Sequence, residues 1–397
     1  MNRPSLEMAD IVRSAGRNFI ERNRSWLNRL HLKVLTAIER CRTAALGSHL
    51  DECARCGHRV ISFNSCRNRP CPKCQANARN RWLEARQREL LPTRYVPVVF
   101  TLPHELAPLA LQNKRVIYDF LFRLSAETLL QIAPDPKHLG AEIGFFSVLH
   151  SWNQKLEHHP HVPCVVPAGG ISPDHTHWIQ SPQNFFLPVE VLGEVFRGKF
   201  TEALEEAFAQ GNLGFHGSLK ALGRPKVFAQ LLRQTFCKKW VVYSKRPFGG
   251  PEHALRYLGC YTHRVAISNH RLTSFANDEV TFRWRDSAHK NKQRLMTLHV
   301  AEFLRRFLLQ VLPPGFVRIR HFGFLSTRNR SALLPLCFRL LGATAAPSTK
   351  TIHPDDLKHR HDGWLCPQCN GPMLILERLS ALQLRFRAPP SLNVSAA

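Results

Sequence analysis

Two tyrosines four residues apart, Tyr257 and Tyr261, are the residues whose type and spacing most directly indicate chemistry. They lie in residues 237–269, where the pattern predicts a strand, a glycine-rich turn and a helix that carries both rings. Because residues four apart lie on the same face of an α-helix, both phenol oxygens can reach one reacting centre. The spacing therefore predicts a pair of nucleophiles.

A simpler interpretation places the tyrosines in an apolar stripe of the core together with Leu255 and Leu258. The neighbouring side chains favour the chemical interpretation. Arg256, His263 and Arg264 flank the tyrosines, and cationic side chains suit a phosphate better than a core. Phosphate chemistry is the reaction class that these residues indicate.

Cysteine pairs in the N-terminal part of the chain predict a metal site. Cys53 and Cys56 form one C-x-x-C pair, and Cys71 and Cys74 form another. Two such knuckles close a tetrahedral zinc site, and binding of the ion supplies folding free energy to a loop of this size. We therefore expect a structural zinc on these four thiolates in a zinc-ribbon-like module, with Cys66 as a hairpin thiol outside the site.

Cysteine usage and the N-terminus also bear on the compartment. The first residues contain no apolar stretch with a small-residue cleavage site, so we expect the chain in the cytoplasm, at the bacterial nucleoid, where thiols stay reduced. Near the C-terminus His359, His361, Cys366 and Cys369 are candidates for a second zinc knuckle.

A histidine-rich segment, HHPHVPCVVPAGG, begins at His158. The apolar run that follows predicts a buried strand. Side chains two apart on a strand share a face, so His159 and His161 can bind one metal ion. The alternative for such a ring is a hydrogen-bonded histidine of the core.

The chain is strongly basic, with 55 Lys and Arg against 29 Asp and Glu and a formal net charge of +26. An excess of this size indicates a polyanionic partner. Nucleic acid is favoured over an anionic membrane because the sequence has no apolar stretch of about 18 residues. Basic residues beside the cysteines predict that the zinc module contacts DNA; they are Arg67, Arg69 and Lys73.

Hydrophobic periodicity predicts the elements that position these residues. Apolar spacing of the helical kind opens the chain, and short alternating runs follow in its central part. The predicted helices cover residues 6–43, 77–91, 105–132, 185–210 and 297–312, and the predicted strands cover residues 95–102, 143–150, 158–166, 265–267, 271–275, 280–284 and 317–322.

Three segments in chain order resemble the HUH endonuclease superfamily, which is named for paired histidines around a hydrophobic residue. They are the strand that ends in Phe100-Thr101-Leu102-Pro103, the histidine-rich strand at residues 158–166, and the Tyr257-x-x-x-Tyr261 helix. The motifs CRNRPCPKCQ, VVFTLPHEL, HHPHVPCVVPAGG, FRGKF, WVVYSKRPFGGPE and YLGCYTHRVAISN together are similar to the insertion-sequence-91 family of rolling-circle transposases. The resemblance covers residues 10–345.

The resemblance implies an α+β fold with a central antiparallel sheet and flanking helices. The histidine strand should lie in the middle of this sheet, with the tyrosine helix packed beside it. Three regions are implied: N-terminal helices with a zinc-binding, DNA-contacting module at residues 1–92, a catalytic transposase domain at residues 93–345, and a tail at residues 346–397.

The resemblance also implies an enzyme that nicks single-stranded DNA at a transposon end, forms a 5′-phosphotyrosine and transfers the strand to target DNA with its second tyrosine. A phenol with a pKa near 10 is a poor nucleophile at neutral pH, so Mg²⁺ or Mn²⁺ is expected to polarise the phosphate. The expected ligands are His159, His161 and Gln154. Since a phosphotyrosine keeps the energy of the cleaved bond, no nucleotide cofactor is expected. The residues expected to contact DNA outside the zinc module are Lys245, Arg256, Arg264, Arg318 and Arg320.

The metal strand departs from the family pattern His-Pro-His-x-His, because the fifth position here is Pro163. Proline has no ligand atom, so Pro163 takes no metal role. Pro70 and Pro97 also stand where family histidines are expected, and Cys260 stands where an arginine is expected. Reduced activity is therefore predicted.

Two other functions fit part of the sequence. A non-catalytic, zinc-dependent DNA-binding remnant of a transposase accounts for the cysteines, the charge and Pro163, but gives Tyr257 and Tyr261 no role. A zinc-ribbon RNA-binding protein accounts for charge and cysteines, but the sequence offers no aromatic sheet platform for stacked bases.

Overall fold

The computed structural model describes residues 4–74, 82–83, 86–244, 247, 249–254, 259, 265–286, 289–343 and 365–386. The chain forms two compact units. The first consists of residues 1–78, 267–305 and 347–397, and the second of residues 79–266 and 306–346. This division differs from the three regions expected with boundaries at residues 92 and 345, because residues 267–305 and the C-terminal segment belong to the same unit as the N-terminal segment.

Two helices open the first unit, as the periodicity of residues 6–43 predicts. They are α1 (Met8–Arg22) and α2 (Arg29–Arg40). The apolar face of α1 is buried, whereas Arg13 and Arg17 on its other face are exposed. The side chain of Asn28 accepts hydrogen bonds from two amides of the first turn of α2, and this cap fixes the start of the helix.

The first unit also contains two antiparallel sheets of three strands. In one, β1 (Ser48–Cys53) lies between β2 (Arg59–Phe63) and β14 (Met373–Leu379), so the C-terminal part of the chain completes an N-terminal sheet. The other has the order β10 (Leu272–Ala276), β11 (Glu279–Asp286) and β12 (Lys292–His299). Residues 265–267, expected to form a strand, lie outside both sheets.

The second unit is built on a six-stranded antiparallel sheet, with five strands in the order β13-β4-β6-β3-β9 and β5 paired to β6. The histidine strand β6 is in the middle, as expected, and the α+β fold with a central antiparallel sheet is confirmed. The strands are β3 (Tyr95–Thr101), β4 (Gly144–Val148), β5 (His150–Trp152), β6 (His158–Pro167), β9 (Val242–Ser244) and β13 (Ile319–Gly323).

Further helices and a small hairpin lie within the described residues. The helices are α3 (Ala107–Gln112), α4 (Lys114–Ile132), α5 (Val189–Ala209), α6 (Pro225–Phe236), α7 (Val300–Leu309), α8 (Arg330–Leu340) and α9 (Ala381–Phe386), and the hairpin joins β7 (Gly169–Ile171) to β8 (Trp178–Gln180). The predicted helical segment at residues 105–132 is found as the two helices α3 and α4, and those at residues 185–210 and 297–312 are found with shortened ends.

The two faces of β6 belong to different cores, because side chains alternate along a strand. Even-numbered residues such as Val162 and Cys164 pack in the large core that includes Phe122 of α4 and Phe196 of α5. Odd-numbered Val165 packs in a second core. We call the odd-numbered side of β6 the histidine face, since it carries His159 and His161.

Candidate active site and metal centres

The three histidines of β6 divide between its two faces. His159 and His161 lie together on the histidine face, with ring centroids 5.3 Å apart. His158 points into the large core, where its Nε2 is 2.8 Å from the hydroxyl of Tyr118. Burial, followed by the charge of Lys114, lowers the pKa of His158 to about 4, so this ring is a neutral, hydrogen-bonded core residue. His159 and His161 remain as the candidate ligand pair.

A backbone hydrogen bond fixes the orientation of the His161 ring. Its Nδ1 is 2.8 Å from the carbonyl oxygen of His159. A carbonyl only accepts, so Nδ1 carries the proton and, in the neutral ring, Nε2 carries the lone pair. Bonds of this kind orient metal-bound histidines, and the arrangement fits a divalent cation ligated through Nε2 of His161.

His150 is a further candidate ligand that the sequence interpretation missed. It is paired with His161 across the ladder between β5 and β6, and the two ring centroids are 5.2 Å apart. The ring is 2% exposed and stacks on Trp152. Gln154, the expected third ligand, lies in the turn beyond the Trp152–His158 pair. The ladder therefore brings His150, rather than Gln154, opposite His161.

Pro163 lies on the histidine face and interrupts one ladder of β6. The Leu102 amide donates to the Pro160 carbonyl at 3.2 Å, so the backbone groups of even-numbered residues point toward β3 and those of odd-numbered residues toward β4 and β5. On that second side the ladder stops at Cys164 and resumes at His161. The gap falls at Pro163, which has no N–H to donate.

The nucleophile candidates Tyr257 and Tyr261 lie outside the described residues. Helical residues on either side of Tyr257 are described. Ala254 is buried in the second core, with the histidine face, and a Cβ on helical Gly259 would lie 3.1 Å from Leu83, which packs on the same core. These described residues, which stand on either side of Tyr257 in the sequence, therefore pack on the side of the sheet that carries the histidines.

Four cysteine thiols converge beside α2, and they are not the four expected. Cys41, Cys66, Cys71 and Cys74 place their sulfur atoms within 4.8 Å of one another. The Cys66 amide lies 3.5 Å from the Cys41 sulfur, and hydrogen bonds from the other thiols, Cys66 first, lower the pKa of Cys41. Four converging thiols fit a tetrahedral zinc ion. We call this group the first cluster.

The expected site of Cys53, Cys56, Cys71 and Cys74 is thus corrected. The two C-x-x-C pairs lie in different clusters, because β1 carries Cys53 away from Cys71 and toward the C-terminal strand. Cys53 and Cys56 instead meet Cys366 and Cys369. Cys66, expected to lie outside the site, belongs to the first cluster. The other expected partners of Cys366 and Cys369 lie outside the described residues; they are His359 and His361.

The basic residues expected to contact DNA differ in their surroundings. Arg67 and Arg69, beside the first cluster, are exposed. Lys73 is not available to DNA, because its ammonium group pairs with Glu7 at 2.6 Å and both side chains are less than 10% exposed. The group outside the described residues consists of Lys245, Arg256 and Arg264.

The arginines around β13 also differ from the expectation of a strand facing phosphates. Arg318 is 8% exposed and donates from Nε to the Leu149 carbonyl at 3.0 Å. Arg320 pairs with Asp119 at 2.7 Å and lies over the ring of Phe122. Helix α4 packs on this strand, so its basic side chains are engaged within the protein.

The chain matches family models and whole relatives. The model described as "Putative transposase" matches residues 144–332, and "Transposase zinc-binding domain" matches residues 11–102. Putative transposase y4qJ of Sinorhizobium fredii (strain NBRC 101917 / NGR234) is 50% identical over 384 residues, 95% of this chain and 96% of the relative. The transposase for insertion sequence element IS801 of Pseudomonas savastanoi pv. phaseolicola is 26% identical over 392 residues, 93% and 91% of the two chains.

No solved structure matches the chain. Among the described residues, no helix is long and apolar enough to cross a membrane. Both matched models are transposase models, and together they span the cysteine module and the histidine strand. The relative from Sinorhizobium fredii extends the likeness over nearly the full length of both chains. The chain therefore belongs to the insertion-sequence-91 family of transposases.

Proposed function

We propose that this transposase nicks and rejoins single-stranded DNA at transposon ends through 5′-phosphotyrosine intermediates, with Tyr257 and Tyr261 as the nucleophiles. The observation that carries the proposal is the histidine face. His159 and His161 lie on the middle strand of the sheet, and Ala254, three residues before Tyr257 in the sequence, packs on the same side. The described residue that precedes the candidate nucleophiles in sequence thus packs on the face that carries the candidate ligands.

The reaction is a transesterification at phosphorus. The phenol oxygen of one tyrosine forms a bond to phosphorus and gives up its proton, while the bond from phosphorus to the 3′ oxygen breaks and that oxygen leaves as a hydroxyl. In the second step a 3′-hydroxyl attacks the phosphotyrosine and releases the phenol. The number of phosphoester bonds is unchanged, so no nucleotide cofactor is needed. A divalent cation, when bound, supplies the polarisation of a phosphoryl oxygen.

Each described residue of the site has a distinct part in this proposal. His161 offers Nε2 toward the phosphate side, because its Nδ1 is held by the His159 carbonyl. His159 shares the face, and His150 borders it from β5. Burial lowers the pKa of His159, which keeps the ring neutral and able to ligate near pH 7.

DNA capture is assigned to the first unit. The first cluster would hold structural zinc, and Arg67 and Arg69 stand exposed beside it. The charge of +26 adds a general attraction to DNA, which we expect at the nucleoid. Single strands at the transposon ends and in the target are the proposed substrates.

Pro163 favours a second candidate function, a non-catalytic transposase remnant that binds element ends. Its ring offers no ligand atom where the family pattern has a histidine. This candidate predicts DNA binding without a covalent product.

An adduct assay separates the two functions. The full chain is incubated with Mn²⁺ or Mg²⁺ and a single-stranded transposon end labelled on the 3′ side of the nick, and covalent product is resolved on a denaturing gel. The enzyme should give an adduct that is absent from the Tyr257→Phe/Tyr261→Phe variant. Binding of the same DNA without an adduct would select the remnant.

A further inference from the structure

A second group of four cysteines joins the two ends of the chain within the first unit. Cys53 and Cys56 come from the N-terminal segment, and Cys366 and Cys369 from the C-terminal one. The Cys53 and Cys369 sulfurs are 3.4 Å apart and those of Cys56 and Cys366 3.6 Å apart. These separations are too long for a disulfide bond of about 2.05 Å, but close to the roughly 3.8 Å between ligands of a tetrahedral zinc with Zn–S bonds of about 2.3 Å. We call this group the second cluster.

The two C-x-x-C pairs of the second cluster have the same backbone hydrogen bonds. In the first pair the Cys53 amide donates to the His58 carbonyl at 2.9 Å, and the Gly57 amide donates back to the Cys53 carbonyl at 3.0 Å. In the second pair the Cys366 amide donates to the carbonyl five residues on at 2.8 Å, and the Asn370 amide donates back at 2.9 Å. The chain therefore folds both pairs into the same turn.

Each turn also ends with a residue in the left-handed region. Gly57 has φ of 68° and Asn370 has φ of 53°. Glycine and asparagine are the residues that tolerate this conformation best. It reverses the chain just after the second cysteine of each pair, so that the next residue can accept the hydrogen bond from the amide of the first cysteine.

Backbone amides point at the sulfur atoms of this cluster. The Arg55 amide lies 3.4 Å from the Cys53 sulfur, and the Gln368 amide lies 3.4 Å from the Cys366 sulfur. Hydrogen bonds to the charged form stabilise a thiolate, which is the form that binds metal. The same amide of each turn, two residues after its first cysteine, performs this role.

The backbone also approaches the cluster closely at Gly371. A Cβ at this position would lie 3.0 Å from the Cys53 sulfur and 3.2 Å from the Cys369 sulfur. Glycine is therefore required where the second turn meets the first. A hydrogen bond from the Ala54 amide to the Pro372 carbonyl at 3.0 Å joins the two turns.

We propose that the second cluster binds a zinc ion of its own, which fastens the C-terminal strand β14 to the N-terminal module. Beyond the cluster, β14 pairs antiparallel with β1 from Ser48–Leu379 to Cys53–Met373. Four thiolate ligands from two like turns suit zinc, because soft sulfur donors in a tetrahedral set select it. The site thus closes a sheet whose strands come from opposite ends of the sequence.

Metal analysis of the full-length protein tests this proposal. The wild-type chain should contain two zinc ions, and the Cys366→Ser/Cys369→Ser variant should contain one. The matched control is Cys237→Ser, an exposed cysteine outside both clusters, which should keep two. One zinc in the wild-type chain, two in the double variant, or iron in place of zinc would each overturn the proposal.

A second measurement guards against a variant that fails to fold. X-ray absorption of the wild-type protein should show only sulfur neighbours around zinc at two ions per chain; nitrogen or oxygen neighbours at half of the sites would refute the four-thiolate site. Hydrogen exchange at residues 373–379 should be faster in the double variant than in Cys237→Ser, with the amides of α1 unchanged in both. Equal protection of residues 373–379 would refute the fastening role.

Discussion

Pro163→His tests the histidine face most directly, because it changes two properties of β6 at one position. Residue 163 lies two positions beyond His161 on the same face, about 6 to 7 Å along the strand. An imidazole there would add a ligand beside His161. The new residue would also restore the N–H that is missing where the ladder to β4 and β5 is interrupted.

The expected gain is in cleavage and not in stability. A restored backbone hydrogen bond is worth about 1 kcal/mol, but replacing proline gives back roughly 0.4 to 1 kcal/mol of unfolded-state entropy, so the two effects nearly cancel. We expect the first-order rate of adduct formation to rise at least tenfold at limiting Mn²⁺, equivalent to about 1.4 kcal/mol of barrier. Adduct formation should be faster with Mn²⁺ than with Mg²⁺ in both the wild type and the variant, because imidazole ligands suit the softer ion.

Pro163→Phe is the matched control. Phenylalanine, like histidine, has a backbone N–H and a planar ring, but it offers no ligand atom. Single-turnover adduct formation should be measured for the wild type and both variants, with thermal unfolding recorded in parallel. A rise in Pro163→His alone supports a ligand at position 163. Equal rates for the His and Phe variants would show that this position does not face the metal, and His150, His159 and His161 would then be the ligand set to test.

Three further predictions follow from particular residues. Tyr257→Phe and Tyr261→Phe should each keep part of the cleavage or block only strand transfer, whereas the double variant should form no adduct; cleavage by the double variant would refute paired nucleophiles. Arg67→Ala should weaken single-strand binding in a salt-dependent way without changing the melting temperature, whereas Arg320→Ala should lower the melting temperature and leave binding intact; the reverse pattern would refute the different roles assigned to Arg67 and Arg320. Burial lowers the pKa of His321 to about 4, so the folded state binds fewer protons than the unfolded state and stability should fall, by up to roughly 3 kcal/mol, as pH drops from about 6.5 to 4. Urea unfolding of His321→Phe should show a stability that depends less on pH in this window. An unchanged pH dependence would show that His321 is not its cause.

The strands and helices of the second unit were predictable because their signals are local. Alternating and apolar runs place β3, β4 and β6 within a few residues of their observed ends, and the helical spacing of residues 105–132 and 185–210 holds. The central place of β6 came from the resemblance, and the order of the other strands was not predicted, since periodicity does not specify a partner. β12 was missed because its side chains are mostly exposed and its apolar pattern is weak.

The errors in the site arose where the determining contact is far away in sequence. The alternation around Arg320 predicts a basic strand face, but its partner Asp119 lies on α4. His150 carries no spacing motif, and only the antiparallel return of the chain brings it opposite His161. In both cases the sequence gives the type of the residue but not the residue that it contacts in the fold.

The cysteines give the clearest case of this limit. A C-x-x-C spacing specifies a turn that presents two sulfurs, but it leaves the partner of that turn open. Cys53 finds its partner more than 300 residues away because β14 adds to the edge of β1. The lone Cys41 and Cys66, which have no motif, complete the first cluster instead.

This interleaving of two clusters implies an order of assembly. All ligands of the first cluster lie within residues 41–74, so this cluster can form as soon as the N-terminal segment has been synthesised. The second cluster also needs Cys366 and Cys369. Until the C-terminal segment has been synthesised, Cys53 and Cys56 supply only two of its four ligands. Early exchange of Cys53 or Cys56 into the first cluster is opposed by β1, whose pairing with β2 holds Cys53 away from Cys71. The hairpin of β1 and β2 therefore leaves Cys53 and Cys56 able to bind together with the cysteines of the C-terminal segment.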